Sequence, residues 1–133
     1  WVFIDIDKGK LVKISDDIAQ KYKPENKNVF EEHDLEKLKE PSDCISKVSF
    51  KITRNLIDIN KHLHNIYYLD IAKEALPESI GLSNELNYFE IMYKKEIKLE
   101  ETVKAIYSKE NDYHYVTIKN EDESIVHSII RLK

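Results

Sequence analysis

Lys47-Val48-Ser49-Phe50-Lys51-Ile52-Thr53 alternates polar and apolar side chains, and the run Asp58-Ile59-Asn60-Lys61-His62-Leu63-His64-Asn65-Ile66-Tyr67-Tyr68 follows soon after. The alternation sends Val48, Phe50 and Ile52 to one face, which predicts a half-buried strand. From Asn65 the period changes. Tyr68, Ala72, Ala75 and Leu76 recur at helical spacing, predicting a helix over Asn65 to Leu76 that Pro77 ends. Between the two elements stand Asp58, Asn60 and His62, each two residues from the next. If the backbone there is still extended or gently looped, their side chains project to the same side, close to the positive end of the helix. A carboxylate, an amide and an imidazole brought together make a candidate reaction centre. Asp and Asn also commonly fill turns and cap helices, and a single His is more often a hydrogen-bonded structural residue, so both readings stand at this point.

Working outward, a loop around Gly81 leads to four strand-like runs: Leu86 to Leu99, Thr102 to Ser108, Tyr113 to Lys119 and Ser124 to Leu132. The polar tips Lys109-Glu110-Asn111-Asp112 and Asn120-Glu121-Asp122-Glu123 have hairpin composition, so the last strands are antiparallel neighbours. One strand, one long helix and then three or four antiparallel strands describe an α+β fold, a sheet wrapped around a central helix. In the other direction, residues 1–14 read as two short strands around Lys8-Gly9-Lys10. Ser15 then precedes Asp16 and Asp17 as an N-cap, predicting a short helix over Asp16 to Tyr22. Residues 23–45 carry Pro24, Pro41 and many charges, and read as a connection lying on a surface. A chain that starts in a strand at Trp1, without an initiator Met or a polar lead, is expected to be the later portion of a longer polypeptide.

Composition removes several function classes. A chain of 133 residues is sized for one core. Its net charge of −4 argues against nucleic acid as a partner, because phosphate binding needs clustered Lys and Arg. No apolar run approaches the roughly 20 residues that span a bilayer, and no signal-peptide pattern opens the chain. A soluble, cytoplasmic protein is the expectation, with no membrane partner. The single cysteine, Cys44, forms no intrachain disulfide, fits a reducing compartment, and has no base beside it in sequence to make it a nucleophile. His62-x-His64 suggests a metal, but a site needs three or four ligands. His33, His114 and His127 are scattered and read as strand or linker residues, so neither a metal nor a cofactor is expected.

Asp58-x-Asn60-x-His62-x-x-Asn65-x-x-Tyr68 at a strand-to-helix junction resembles the signature of the acyl-acyl carrier protein thioesterases. Further features are similar to that family: Trp1-Val2-Phe3-Ile4-Asp5 with the Lys-rich turn and Lys13-Ile14-Ser15-Asp16-Asp17, Glu74-Ala75-Leu76-Pro77 at the helix end, and Tyr93-Lys94-Lys95-Glu96 as a basic strand bearing a Glu. The resemblance implies a hot-dog fold present twice in one polypeptide. Residues 1–45 are then the tail of the first repeat plus a linker, and residues 46–133 the C-terminal hot-dog domain. It implies hydrolysis of fatty acyl thioesters on the phosphopantetheine arm of acyl carrier protein. Asp58, Asn60, His62 and Glu96 fall on the residues implicated in catalysis, and Asn65 and Tyr68 on substrate contacts. This chain has His64 where the family usually has Asn, and Ile97 where plant members have Cys.

Thioester hydrolysis needs an activated water and donors for the oxyanion. Glu96 with His62 is expected to deprotonate the water, Asn60 to hold it, and Asp58 to fix the imidazole or its neighbour. Backbone N–H groups near Asn65 are the expected oxyanion donors. Glu96 between Lys94, Lys95 and Lys98 also reads as an ordinary surface charge on a strand. The eight tyrosines read either as an acyl tunnel or as sheet residues. Lys94, Lys95, Lys98 and Lys104, with Arg54, read either as a seat for acidic acyl carrier protein or as protection of a sheet edge. The rivals are an acyl-CoA thioesterase of the same fold and a non-catalytic half that completes a double hot-dog. In either case the partner is the upstream repeat or a second copy, and the isolated fragment is expected to dimerise.

Overall fold

A computed structural model describes residues 3–25, 27, 36–83 and 86–133. The chain divides into two compact units, Trp1–Leu35 and Glu36–Lys133. In the first, β1 (Phe3–Asp5) and β2 (Lys10–Val12) pair antiparallel around a turn in which Gly9 takes φ 60°, and α1 (Asp16–Lys21) follows. The Ser15 carbonyl accepts the Ala19 N–H at 3.0 Å, but its hydroxyl makes no capping bond. Trp1, Val2 and His33 lie outside the described residues.

The second unit is built on a five-stranded antiparallel sheet in the order β3-β5-β6-β7-β4. Its strands are β3 (Ser46–Lys51), β4 (Phe89–Tyr93), β5 (Thr102–Glu110), β6 (Tyr113–Asn120) and β7 (Val126–Leu132). Both predicted polar tips are hairpin turns. Asn111 sits at φ 54° in the first, a conformation that Asn tolerates better than most residues. In the second, the Asn120 side-chain oxygen accepts the Ile125 N–H at 2.8 Å, and the Asp122 carboxylate accepts the Ser124 N–H at 3.0 Å.

On one sheet face lies α2 (Tyr67–Ala75), whose Tyr68, Ile71, Ala72 and Ala75 are buried. They pack with Val103, Ala105, Val116, Ile118 and Ile130, the alternate residues of β5, β6 and β7. A helix against an antiparallel sheet is the hot-dog arrangement, but the helix is shorter than its apolar spacing suggested. Its start is delayed because residues 64–67 form a tight turn, with the Tyr67 N–H on the His64 carbonyl. Leu76 ends it, and Pro77 opens a further single turn, α3 (Glu78–Gly81).

Two expected elements change. The run Leu86 to Leu99 is not one strand, since β4 stops at Tyr93, where the Lys94 and Lys95 N–H groups both turn onto the His127 carbonyl. The segment 36–45 is more than a surface connection. Leu38 and Pro41 are buried, Glu40 pairs with Lys119, the Ser108 hydroxyl donates to the Asp43 carbonyl, and the Ile45 N–H reaches the Tyr107 carbonyl at 2.8 Å. This strap covers the sheet face opposite α2, where Ile106, Thr117 and Ile129 are buried.

Candidate functional site

After β3 the chain makes one 3-10 turn, Arg54–Leu56, and then folds back on itself. Ile57 pairs with Leu63, and the Asp58 N–H donates to the His62 carbonyl at 2.8 Å. The loop between is a tight hairpin rather than extended backbone, so two-residue alternation does not govern it. Lys61 takes φ 65° there without being a glycine. The Asp58 carboxylate holds the loop from inside: Oδ1 accepts the Asn60 N–H at 2.8 Å and the His62 N–H at 3.1 Å, and Oδ2 accepts the Asn60 side-chain amide at 3.3 Å. Asp58 therefore fills a turn, as such residues commonly do, and the turn it fills carries Asn60 and His62. The hairpin docks on the chain beyond β4 through a His62–Lys98 bridge and a Leu63 N–H to Ile97 carbonyl bond of 2.8 Å.

That docking gathers the predicted residues. Asp58, Asn60, His62, Asn65, Tyr68 and Glu96 all line one shallow cleft of about 440 Å³, together with Leu63, Tyr93, Lys94 and Lys95. Glu96 lies in the loop after β4 rather than on a strand, with 47% of its side chain exposed and Lys98 at 4.0 Å. Ile97, beside it, is fully buried in the core as a packing residue.

Charge in the cleft is set by hydrogen bonds. The His62 N–H on its oxygen, helped by the Asn60 side-chain and backbone amides, holds the Asp58 carboxyl below its ordinary pKa. Its own backbone N–H, with Lys98, His62 and Lys95 nearby, does the same for Glu96. Both carboxylates are ionised at neutral pH, so each can accept and orient a water's protons but cannot deliver one. Burial, with Tyr93 alongside, pushes the Tyr68 phenol up to about 12, which keeps it a neutral O–H donor.

The helix start differs from the expected oxyanion cradle. His64 takes the Ile66 N–H on its Nδ1 at 3.3 Å, and the Tyr67 and Tyr68 N–H groups bond to the His64 and Asn65 carbonyls. With those amides occupied, the side-chain amides of Asn60 and Asn65 and the Tyr68 hydroxyl remain as donor groups among the residues that line the cleft. Tyr93 belongs to the same wall: its hydroxyl donates to the Asn65 carbonyl at 3.3 Å, and its ring meets Tyr68 edge-on at 5.0 Å between centroids. Its place among the eight tyrosines and at the head of the run Tyr93-Lys94-Lys95-Glu96 hinted at that. Lys104 does not join Lys94 and Lys95, since it pairs with Glu123 at 3.2 Å, which also holds Lys47. Cys44 is exposed and free. Among the described residues no group of three or more His, Cys, Asp or Glu side chains is arranged to hold a metal.

A larger groove of about 650 Å³ runs between Lys95, Glu101, Asn120 and His127. It has an imidazole and an amide but no phenol, and it contains none of the six predicted residues, so the smaller cleft is the better candidate for chemistry.

Residues 39–131 match the family model described as acyl-ACP thioesterase C-terminal domain. Among curated proteins, the chloroplastic oleoyl-acyl carrier protein thioesterase 1 of Arabidopsis thaliana is 27% identical over 116 residues, which cover 80% of this chain and 32% of that protein. Among solved structures, the 12:0-ACP thioesterase from Umbellularia californica superposes with a TM-score of 0.80 at 16% identity, covering 98% of this chain and 52% of that one. An acyl-ACP thioesterase from Bacteroides thetaiotaomicron gives 0.72 at 17% identity, covering 97% and 51%. The chain thus spans about a third of the length of the curated relatives it matches, and about half of these solved chains.

Proposed function

Because this chain belongs to the acyl-ACP thioesterase C-terminal domain family, we propose that it supplies the hydrolytic residues of an enzyme that releases free fatty acid from acyl carrier protein. The observation that carries the reading is the single cleft lined by Asp58, Asn60, His62, Asn65, Tyr68 and Glu96. An acyl thioester enters with its carbonyl at the cleft. Glu96 with His62 takes a proton from a water that Asn60 holds, and the water oxygen bonds to the carbonyl carbon. The side-chain donors stabilise the resulting oxyanion. The carbon–sulfur bond then breaks, and the phosphopantetheine sulfur leaves and regains a proton. Free acid and carrier-protein thiol are the products. Asp58 keeps His62 and Asn60 in place through its turn, and Asn65 and Tyr68 hold the substrate. No metal or cofactor enters the scheme.

Lys94 and Lys95 at the rim of the cleft favour an acidic carrier protein over a neutral partner. The complete natural polypeptide is expected to hydrolyse one acyl chain faster on carrier protein than on CoA, with the advantage shrinking as salt screens the lysines. Equal rates on the two carriers would favour an acyl-CoA thioesterase of the same fold, and no hydrolysis of either would favour the non-catalytic half.

The structural partner in this reading is a second hot-dog unit, either an upstream repeat or another copy, with residues 1–45 as the end of that repeat and a linker and residues 46–133 as the C-terminal hot-dog domain. Its support is the outer edge of β4, unpaired among the described residues, where Phe89 is 62% exposed. Sedimentation of the isolated chain at micromolar concentration is expected to give a dimer; a monomer would count against this face as an interface. No helix among the described residues is long and apolar enough to cross a membrane. The compartment is read as cytoplasmic on the strength of the free thiol of Cys44.

A further inference from the structure

His127 was not distinguished from other strand residues by its sequence context. It is 2% exposed near the start of β7, at an irregularity where the register against β6 slips by one residue, Ile118 facing Ser128 and Lys119 facing Val126. Three hydrogen bonds join it to the two residues before Glu96. Its carbonyl accepts the Lys94 N–H at 2.8 Å and the Lys95 N–H at 3.2 Å, and its ring Nδ1 lies 3.2 Å from the Lys95 carbonyl oxygen. A carbonyl only accepts, so Nδ1 carries the proton and donates. On the other side of Glu96, the Ile97 carbonyl takes the Leu63 N–H. Glu96 is the one residue between these two anchors. The other ring nitrogen, Nε2, is buried without a hydrogen-bond partner, a desolvation penalty that an apolar residue of similar size would avoid. Packing alone does not call for an imidazole here. The Nδ1 donor does.

We propose that His127 is a positioning residue for Glu96, its ring and carbonyl together fixing where the chain leaves β4 and so where the carboxylate stands over the cleft. The inference rests on the reading of Glu96 as the catalytic carboxylate. It is tested in the complete natural polypeptide, with acyl carrier protein thioester as substrate. His127→Leu is expected to lower kcat about tenfold to a hundredfold, since small misplacements of a reacting group have effects of that order, while KM stays nearly constant. His127→Asn, whose side-chain amide reaches the Nδ1 position, is expected to recover most of the loss. His127→Gln, whose amide falls nearer Nε2, is not.

The decisive comparison is the double variant. If His127 acts through Glu96, then His127→Leu has no further effect on an enzyme already carrying Glu96→Ala. The same fold-loss in both backgrounds would overturn the positioning role and leave the Glu96 assignment standing. An unchanged kcat in Glu96→Ala alone would overturn that assignment and the inference with it. Should the Leu variant fail to fold, the Asn and Gln variants carry the test, and equal kcat in those two overturns the proposal.

Discussion

Glu96→Ala and His62→Ala are each expected to lower kcat for acyl carrier protein thioester by about 10²–10⁴-fold, the range that follows removal of a positioned general base. The fold should not notice either change. Glu96 is half exposed and its one ion pair, to Lys98 at 4.0 Å, is of the surface kind that contributes about 0–1 kcal/mol. His62 contacts the loop mainly through its backbone, which alanine keeps. The loss therefore belongs to kcat with little change in thermal unfolding. If both residues act on one water, the double variant is scarcely slower than either single one. Because its own amide and the nearby cations depress the Glu96 pKa, the working, ionised form persists above that depressed value and is lost only as pH falls through it. The part of the acid limb of kcat/KM that Glu96 contributes should lie below the ordinary glutamate value of 4.5. Turnover within twofold of the parent in both single variants, measured under saturating substrate, would remove these residues from the mechanism.

Ile130→Ala is expected to have the largest effect on stability. Ile130 is fully buried at the centre of the sheet, facing α2, with Val116 opposite it on β6 and Ile91 opposite it on β4. Alanine there leaves a cavity bounded by two strands and a helix that cannot all close on it, which costs about 2–5 kcal/mol. For a unit of this size Tm should fall by roughly 10 °C or more. Ile59→Ala removes the same atoms from a side chain that is 97% exposed, and should change stability by less than about 0.5 kcal/mol. Thermal melts of the two variants beside the parent settle the matter, and similar midpoints for both would contradict the assigned core.

The sheet was legible because its signals are local. β3, β5, β6 and β7 each show the alternation or the polar turn that the strand itself requires, and α2 shows its apolar stripe. What was not legible depended on contacts between distant residues. Asp58 to His62 look extended when read alone, yet the Ile57–Leu63 pairing and the Asp58 carboxylate curl them into a hairpin. Glu96 looks like the continuation of β4, and only the His127 carbonyl, some thirty residues later in sequence, takes the chain off the sheet. The six candidate residues nevertheless line one cleft. The particular contacts of Tyr93 and His127 were not readable, since an aromatic and an imidazole in a strand carry no local mark of what they touch.

The strap over the back of the sheet bears on where this unit can be cut. With Leu38 and Pro41 buried, and the carbonyl of Asp43 taken by Ser108, a piece starting at Ser46 would bare the apolar reverse of β5, β6 and β7 to water. A segment that starts at Glu36, where the second compact unit begins ten residues ahead of its first strand, keeps Leu38, Pro41 and Asp43 with the sheet they cover.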